Sequence, residues 1–185
     1  MQITLIRHLP TEWNKQRKLQ GRQDIDLSPI TAEFKQGIEE NKLILDRLAP
    51  FDAVLASSLR RTHQTAAAYG FEVETDRLLD ELDFGQFEGQ PKGKLVQAYG
   101  EEWIDNPLEL ILGESLVDFE KRIGWFLKKY KQCNNILVFG HGSWIRAMIS
   151  YLEHGHINRM NKMVLENNAC VTLRGGSEND RNPFV

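Results

Sequence analysis

Three short apolar runs, residues 3–6, 53–56 and 136–139, stop abruptly at polar residues, and this pattern constrains the fold more than anything else in the chain. Runs of four suit strands covered on both faces, as in a parallel sheet, better than they suit helices. Residues 169–173 read as a weaker fourth strand. Between the runs lie helical patterns. Ser28-Pro29 resembles an N-cap followed by proline, and Ile30, Phe34, Ile38, Leu45 and Leu48 recur at helical spacing. Ser115 with Asp118 three residues on opens a second helix whose inner face holds Leu116, Phe119, Ile123, Phe126, Leu127 and Tyr130. Shorter helices are expected after Ser57-Ser58 and after Gly142-Ser143, the latter with Trp144, Ala147, Met148, Tyr151 and Leu152 inward.

Strands alternating with helices define an α/β fold class, a three-layer α/β/α arrangement around a mostly parallel central sheet. The alternation lapses near residues 84–114, which read as a helical insertion forming a lid or pocket wall. Phe84, Phe87, Trp103, Ile104, Leu108 and Leu110 make that stretch apolar, and packing accounts for them more readily than ligand binding. The 185 residues, 41% of them apolar, suffice for one domain spanning 1–185, with a polar tail near 174–185 expected to fray.

A formal charge of −3 offers no general attraction for nucleic acid or an anionic membrane, so neither is expected as a partner. Cys133 and Cys170 sit at or near apolar runs and read as buried thiols; no C-x-x-C motif occurs, and the N-terminus enters a strand-like run at once. A cytoplasmic protein is expected. Composition says nothing of oligomeric state.

In open α/β sheets ligands bind beyond the carboxyl ends of the strands. There stand Arg7-His8, Ser57-Ser58-Leu59-Arg60-Arg61 and Gly140-His141-Gly142. Taken singly, each has an ordinary structural explanation, since most such histidines and arginines are surface or packing residues. Together, in an acidic protein, they make a local anion pocket, and guanidinium forks match phosphate oxygens. A divalent metal site competes poorly because the arginines would repel the cation. The stretch from Gly89 to Lys94 resembles a nucleotide-binding phosphate loop, but it is one residue short and Leu95 stands for Ser or Thr. Ser143 lacks the G-x-S-x-G elbow of a serine hydrolase.

The blocks LIRHLPTEWN, LQGRQDIDLSP, SSLRRTHQTA, LLDELDFGQFEG, LGES and FGHGSWIRA follow one another from Leu5 to Ala147. In type and order they resemble the histidine phosphatase superfamily, also called phosphoglycerate mutase-like. The resemblance implies that His8 is the nucleophile, that Arg7 and Arg61 bind phosphate, and that His141 contacts the phosphoryl group in flight. It places Glu81 as proton donor, Asn14 as a further phosphate contact, and Gln20, Gly21 and Gly142 along the substrate pocket. It implies no metal and no cofactor. Three positions depart from the family pattern: Leu9 for the usual glycine with Pro10 after it, Thr31 for a glycine, and Thr62 for an alanine. On this likeness the chain is expected to be a metal-independent phosphatase that hydrolyses a small organic phosphate monoester through a phosphohistidine. The alternatives are a phosphoglycerate mutase and a catalytically weak relative that binds a phosphorylated ligand.

Overall fold

The computed structural model describes residues 1–174. Five strands form one sheet: β1 (Gln2–Arg7), β2 (Ala53–Ala56), β3 (Glu74–Thr75), β4 (Asn135–Gly140) and β5 (Cys170–Arg174). Their spatial order is β3-β2-β4-β1-β5. All neighbours are parallel except β5, which runs antiparallel to β1. The described residues hold seven α-helices: α1 (Glu12–Lys15), α2 (Ala32–Leu48), α3 (Arg60–Tyr69), α4 (Gly93–Tyr99), α5 (Glu101–Asp105), α6 (Leu116–Lys129) and α7 (Gly142–His154).

Alternation along the strands explains the layers. Ile3 and Leu5 of β1 and Ile136 and Val138 of β4 share a core with Leu116, Phe119, Ile123 and Phe126 of α6 and with Trp144 and Met148 of α7. Ile6, Leu137 and Phe139 face the opposite way and meet Ile38 and Leu45 of α2 and Ala66 and Tyr69 of α3. With both faces covered, β1, β2 and β4 need no polar side, hence their mostly apolar runs, and the one polar residue inside them, Thr4, pairs its hydroxyl with that of Thr172 at 3.2 Å. Phe119 and Phe126 are completely buried, each such side chain contributing roughly 1.5–3 kcal/mol.

Ser115 caps α6 as its spacing predicts, accepting from the Asp118 amide at 3.0 Å. The expected cap of α2 is a correction. That helix starts at Ala32 with Thr31 as N-cap, because the Ser28 hydroxyl is spent on the Glu12 carboxylate at 2.7 Å. The usual glycine position taken by Thr31 is thus a helix cap. Leu152, expected on the inner face of α7, is 36% exposed. Arg174, placed in the frayed tail, instead ends β5 opposite Gln2; residues 175–185 lie outside the described residues. Residues 84–114 carry α4, α5 and two 3-10 turns, Gly85–Phe87 and Pro107–Glu109.

This topology fixes the site. Because β4 lies between β2 and β1, the three strand ends rich in polar residues stand side by side, and the His8 amide donates to the Gly140 carbonyl at 2.9 Å.

Candidate active site

A cavity of about 400 Å³ opens at those strand ends. Arg7, His8, Asn14, Gln20, Gly21, Arg61, Glu81 and Gly142, all picked out from the sequence, line it. His141 stands behind His8, fully buried, with the two rings edge to face at a centroid distance of 5.4 Å.

His8 follows the last residue of β1. Its Nδ1 bonds the Leu9 carbonyl at 2.7 Å, an arrangement in which Nδ1–H donates and Nε2 keeps its lone pair. Burial first, and then the charges of Arg61 and Arg7, hold its pKa well below 6.5, so the ring is neutral at physiological pH. Leu9, in the usual glycine position, does no harm. Its φ is not positive, its carbonyl serves His8, its amide donates to Thr65 Oγ1 at 3.0 Å, and its side chain is buried in the α2–α3 core.

Arg61 and Arg60 are neighbours with opposite fates. Arg61 has no solvent exposure; its two terminal nitrogens donate to the carbonyls of Gln23 and Gly21, each at 2.7 Å. Arg60 is exposed and pairs with Asp24 and Asp26. Gly21 has φ +52°, and a Cβ there would strike the Glu88 carboxylate, so only glycine comfortably turns its carbonyl to Arg61. Gly142 is needed for room: a Cβ on it would lie 3.2 Å from Arg7 Nε. Arg7 also donates to the Leu165 carbonyl. Burial lowers the pKa of Arg7 and Arg61 to about 10, with Glu81 opposing; both remain cations at neutral pH.

Glu81 is 8% exposed rather than a surface carboxylate. Its oxygens accept from the amides of Leu82 at 2.9 Å, Ser143 at 3.0 Å and Trp144 at 3.1 Å, the last two in the first turn of α7. Its backbone is clamped by Arg22, whose Nε donates to the Glu81 carbonyl at 2.6 Å, and by Arg122, which donates to the Asp80 carbonyl at 2.9 Å. Glu114, in the LGES block, bridges those two arginines. Asn14 Oδ1 takes the Thr11 amide and hydroxyl, and Gln20 Oε1 takes the same hydroxyl at 2.9 Å.

Several cavity residues escaped the sequence reading: Lys18, Lys92, Arg146 and Glu166. Arg146 had a readable signal, since it lies one helical turn after Ser143 and reaches the Ser143 hydroxyl at 3.3 Å. Lys92 was visible only as part of the rejected phosphate-loop match; burial, then Arg7 and Arg146, lower its pKa.

Among the described residues, four buried side-chain nitrogens have no hydrogen-bond partner: Arg7 Nε, Arg61 Nε, Arg146 Nε and His141 Nδ1. All four belong to this site. Leaving such groups unpaired costs roughly 1–3 kcal/mol each. No group of three or more His, Cys, Asp or Glu side chains suited to a metal occurs among the described residues.

A doubly covered, mostly parallel sheet with a cationic, histidine-bearing pocket at its carboxyl edge defines the histidine phosphatase fold. The model of the histidine phosphatase superfamily (branch 1) matches residues 3–181, and the chain belongs to that family. It is 29% identical to phosphoserine phosphatase 1 of Hydrogenobacter thermophilus over 162 residues, covering 80% of this chain and 74% of the relative. It is equally 29% identical to the 2,3-bisphosphoglycerate-dependent phosphoglycerate mutase of Buchnera aphidicola, over 90% of this chain and 88% of that one. Among solved structures, the phosphoserine phosphatase of Entamoeba histolytica in complex with 3-phosphoglyceric acid superposes with a TM-score of 0.75 at 26% identity. That match covers 92% of this chain and 89% of the other. The α-ribazole phosphatase of Shigella flexneri shares the fold, with a TM-score of 0.73 at 24% identity over 93% and 89% of the two chains.

Proposed function

We propose that this protein is a phosphatase that hydrolyses a small organic phosphate monoester through a phosphohistidine on His8, without a metal ion. One observation carries the reading: Arg7 and Arg61, each with an unpartnered buried Nε, line one cavity with a neutral His8 imidazole whose Nε2 lone pair is free. Nε2 attacks phosphorus, the bond from phosphorus to the leaving oxygen breaks, and that oxygen takes a proton from the Glu81 carboxyl. Arg7, Arg61 and His141 stabilise the charge on the equatorial oxygens. Glu81, now ionised, takes a proton from water, and the resulting hydroxide displaces the phosphoryl group from Nε2. Glu81 Oε2 accepts only the Ser143 amide, which leaves a lone pair for this traffic.

In this reading Asn14, Gln20, Gly21 and Gly142 contact the substrate, residues 1–185 form one histidine phosphatase domain, and segment 84–114 roofs the cavity. The phosphoserine phosphatases among its relatives support a small phosphorylated metabolite as substrate. The two free cysteines suit a reducing compartment, the cytoplasm; no helix among the described residues is long and apolar enough to cross a membrane.

The test is phosphate release from an aryl phosphate. His8→Ala is expected to abolish release, a loss of roughly 10⁴-fold or more, together with the acid-labile phosphoryl label on the protein. Retained release in His8→Ala overturns the reading. Glu81→Gln is expected to bind vanadate normally and turn over about 10²- to 10³-fold more slowly; an unchanged pH–rate profile removes Glu81 as the proton carrier. The mutase relative supports phosphoglycerate mutation as second reading, which transfer between phosphoglycerates outpacing phosphate release would establish.

A further inference from the structure

The two nitrogens of His141 lie in unlike surroundings. Nε2 is 2.7 Å from Ser57 Oγ, whereas the equally buried Nδ1 has no partner among the described residues. Burial, followed by the charges of Arg61, His8 and Arg7, holds the ring neutral, so it carries a single proton. If that proton sits on Nε2, a bare Nδ1 lone pair is left among groups arranged to hold phosphoryl oxygens, and lone pair meets lone pair. If it sits on Nδ1, the ring becomes a hydrogen-bond donor.

Ser57 decides between these states. Its oxygen receives the Leu59 amide at 3.1 Å, and its carbonyl is pinned by His63 Nε2 at 2.8 Å. Its one proton has two acceptors within reach, His141 Nε2 and, at 3.0 Å, Thr62 Oγ1. Thr62 in turn directs its proton either to Ser57 Oγ or to the Leu59 carbonyl at 2.8 Å. Three arrangements result. In two of them Ser57 donates to Nε2 and Nδ1–H is presented, with Thr62 donating either to Ser57 or to the Leu59 carbonyl. In the third, Thr62 donates to Leu59, Ser57 donates to Thr62, and Nε2–H donates to Ser57.

We propose that Ser57 is the positioning residue for His141: by donating its hydroxyl proton to Nε2 it fixes the tautomer whose Nδ1–H meets the phosphoryl group, and Thr62 is the competing acceptor in the same relay. A bound phosphate dianion selects the donor arrangements, because only these place a hydrogen between nitrogen and oxygen. This inference rests on the phosphoryl-transfer reading of the site.

The experiment is ¹⁵N NMR of the histidine rings with inorganic phosphate bound, alongside steady-state kinetics. In the unmodified protein His141 is expected to show a protonated Nδ1 and an unprotonated Nε2. Ser57→Ala is expected to lose that bias and to lower kcat about tenfold or more with KM little changed, and Ser57→Thr to restore both. Thr62→Val removes the competing acceptor and is expected to move the tautomer population the other way, towards Nδ1–H. A proton on Nε2 in the phosphate-bound parent overturns the proposal, as does Ser57→Ala with unaltered tautomer and kcat. If Ser57→Ala does not fold, the parent spectrum and Thr62→Val still decide the matter. Phosphate release surviving in His8→Ala would instead defeat the proposed function while leaving the tautomer result intact.

Discussion

The floor and the roof of the cavity are built on different principles. The floor is made where β1, β2 and β4 end and where α3 and α7 begin, so His8 and His141 each stand one residue past a strand and Arg61 stands in the first turn of α3. The roof is made by α4, α5 and the loop carrying Val164 and Glu166, joined to the rest by Leu95 and Trp103 in the core and by ties such as the Asn161 side chain donating to the Trp103 carbonyl at 2.7 Å. In the floor His8, Arg61 and His141 are buried, but the roof turns Val96 (44% exposed), Ile104 (38%) and Val164 (84%) to the cavity mouth. The contrast teaches that one fold combines two kinds of construction: a base of buried charge at the strand ends, proposed above to carry phosphoryl transfer, and a cover with exposed apolar side chains, proposed to meet the organic part of the substrate.

Substitutions can break that division. Arg61→Ala removes a buried floor cation and is expected to cost about 10²- to 10³-fold in kcat/KM, while Arg60→Ala, one residue away on the surface, changes it less than about twofold. Comparable losses in the two variants would mean that burial does not mark the working arginine.

Acid titration sharpens the picture of the floor. Both His8 and His141 have folded pKa values depressed below the ordinary 6.5, so the unfolded chain binds protons first as pH falls. Their contribution to stability is complete above about pH 6.5 and declines below it, by at most about 1.4 kcal/mol per pH unit for each ring. Chemical denaturation at pH 7.5 and 5.5 should show the decline, and His8→Ala should show a shallower one. The smallest effect belongs to the roof: Val96→Ser is expected to raise KM for an aryl phosphate about threefold while kcat holds within about twofold. A kcat collapse there would mean that roof and floor act as one.

The same division governs what could be read from the chain. Strands β1, β2 and β4 announced themselves because burial on both faces leaves mostly apolar runs, and Arg7, His8, Arg61, His141 and Gly142 stand near where those runs end, whereas Asn14, Gln20, Gly21 and Glu81 were marked only by the family resemblance. β3 was invisible: Glu74 and Thr75 are exposed and polar, and only pairing with Leu55 and Ala56 makes them a strand. Ser28-Pro29 misled because a serine hydroxyl serves a distant carboxylate as well as a helix end, and only the fold shows which. Leu43, Ile44 and Trp125 lie exposed on helices whose periodicity alone does not mark them as outward. Arg146 was missed since cations on helices ordinarily point to solvent, and Lys92, one residue before α4, because the short helices of the roof leave little periodic trace.

The carbonyl that aims His8 belongs to Leu9, whose side chain is anchored beneath α2 and α3. The orientation of the His8 imidazole is therefore tied mechanically to the packing of the α2–α3 layer. Warming that loosens this layer is expected to misalign the imidazole before the sheet gives way, so activity should fall at a lower temperature than the circular-dichroism signal of the sheet.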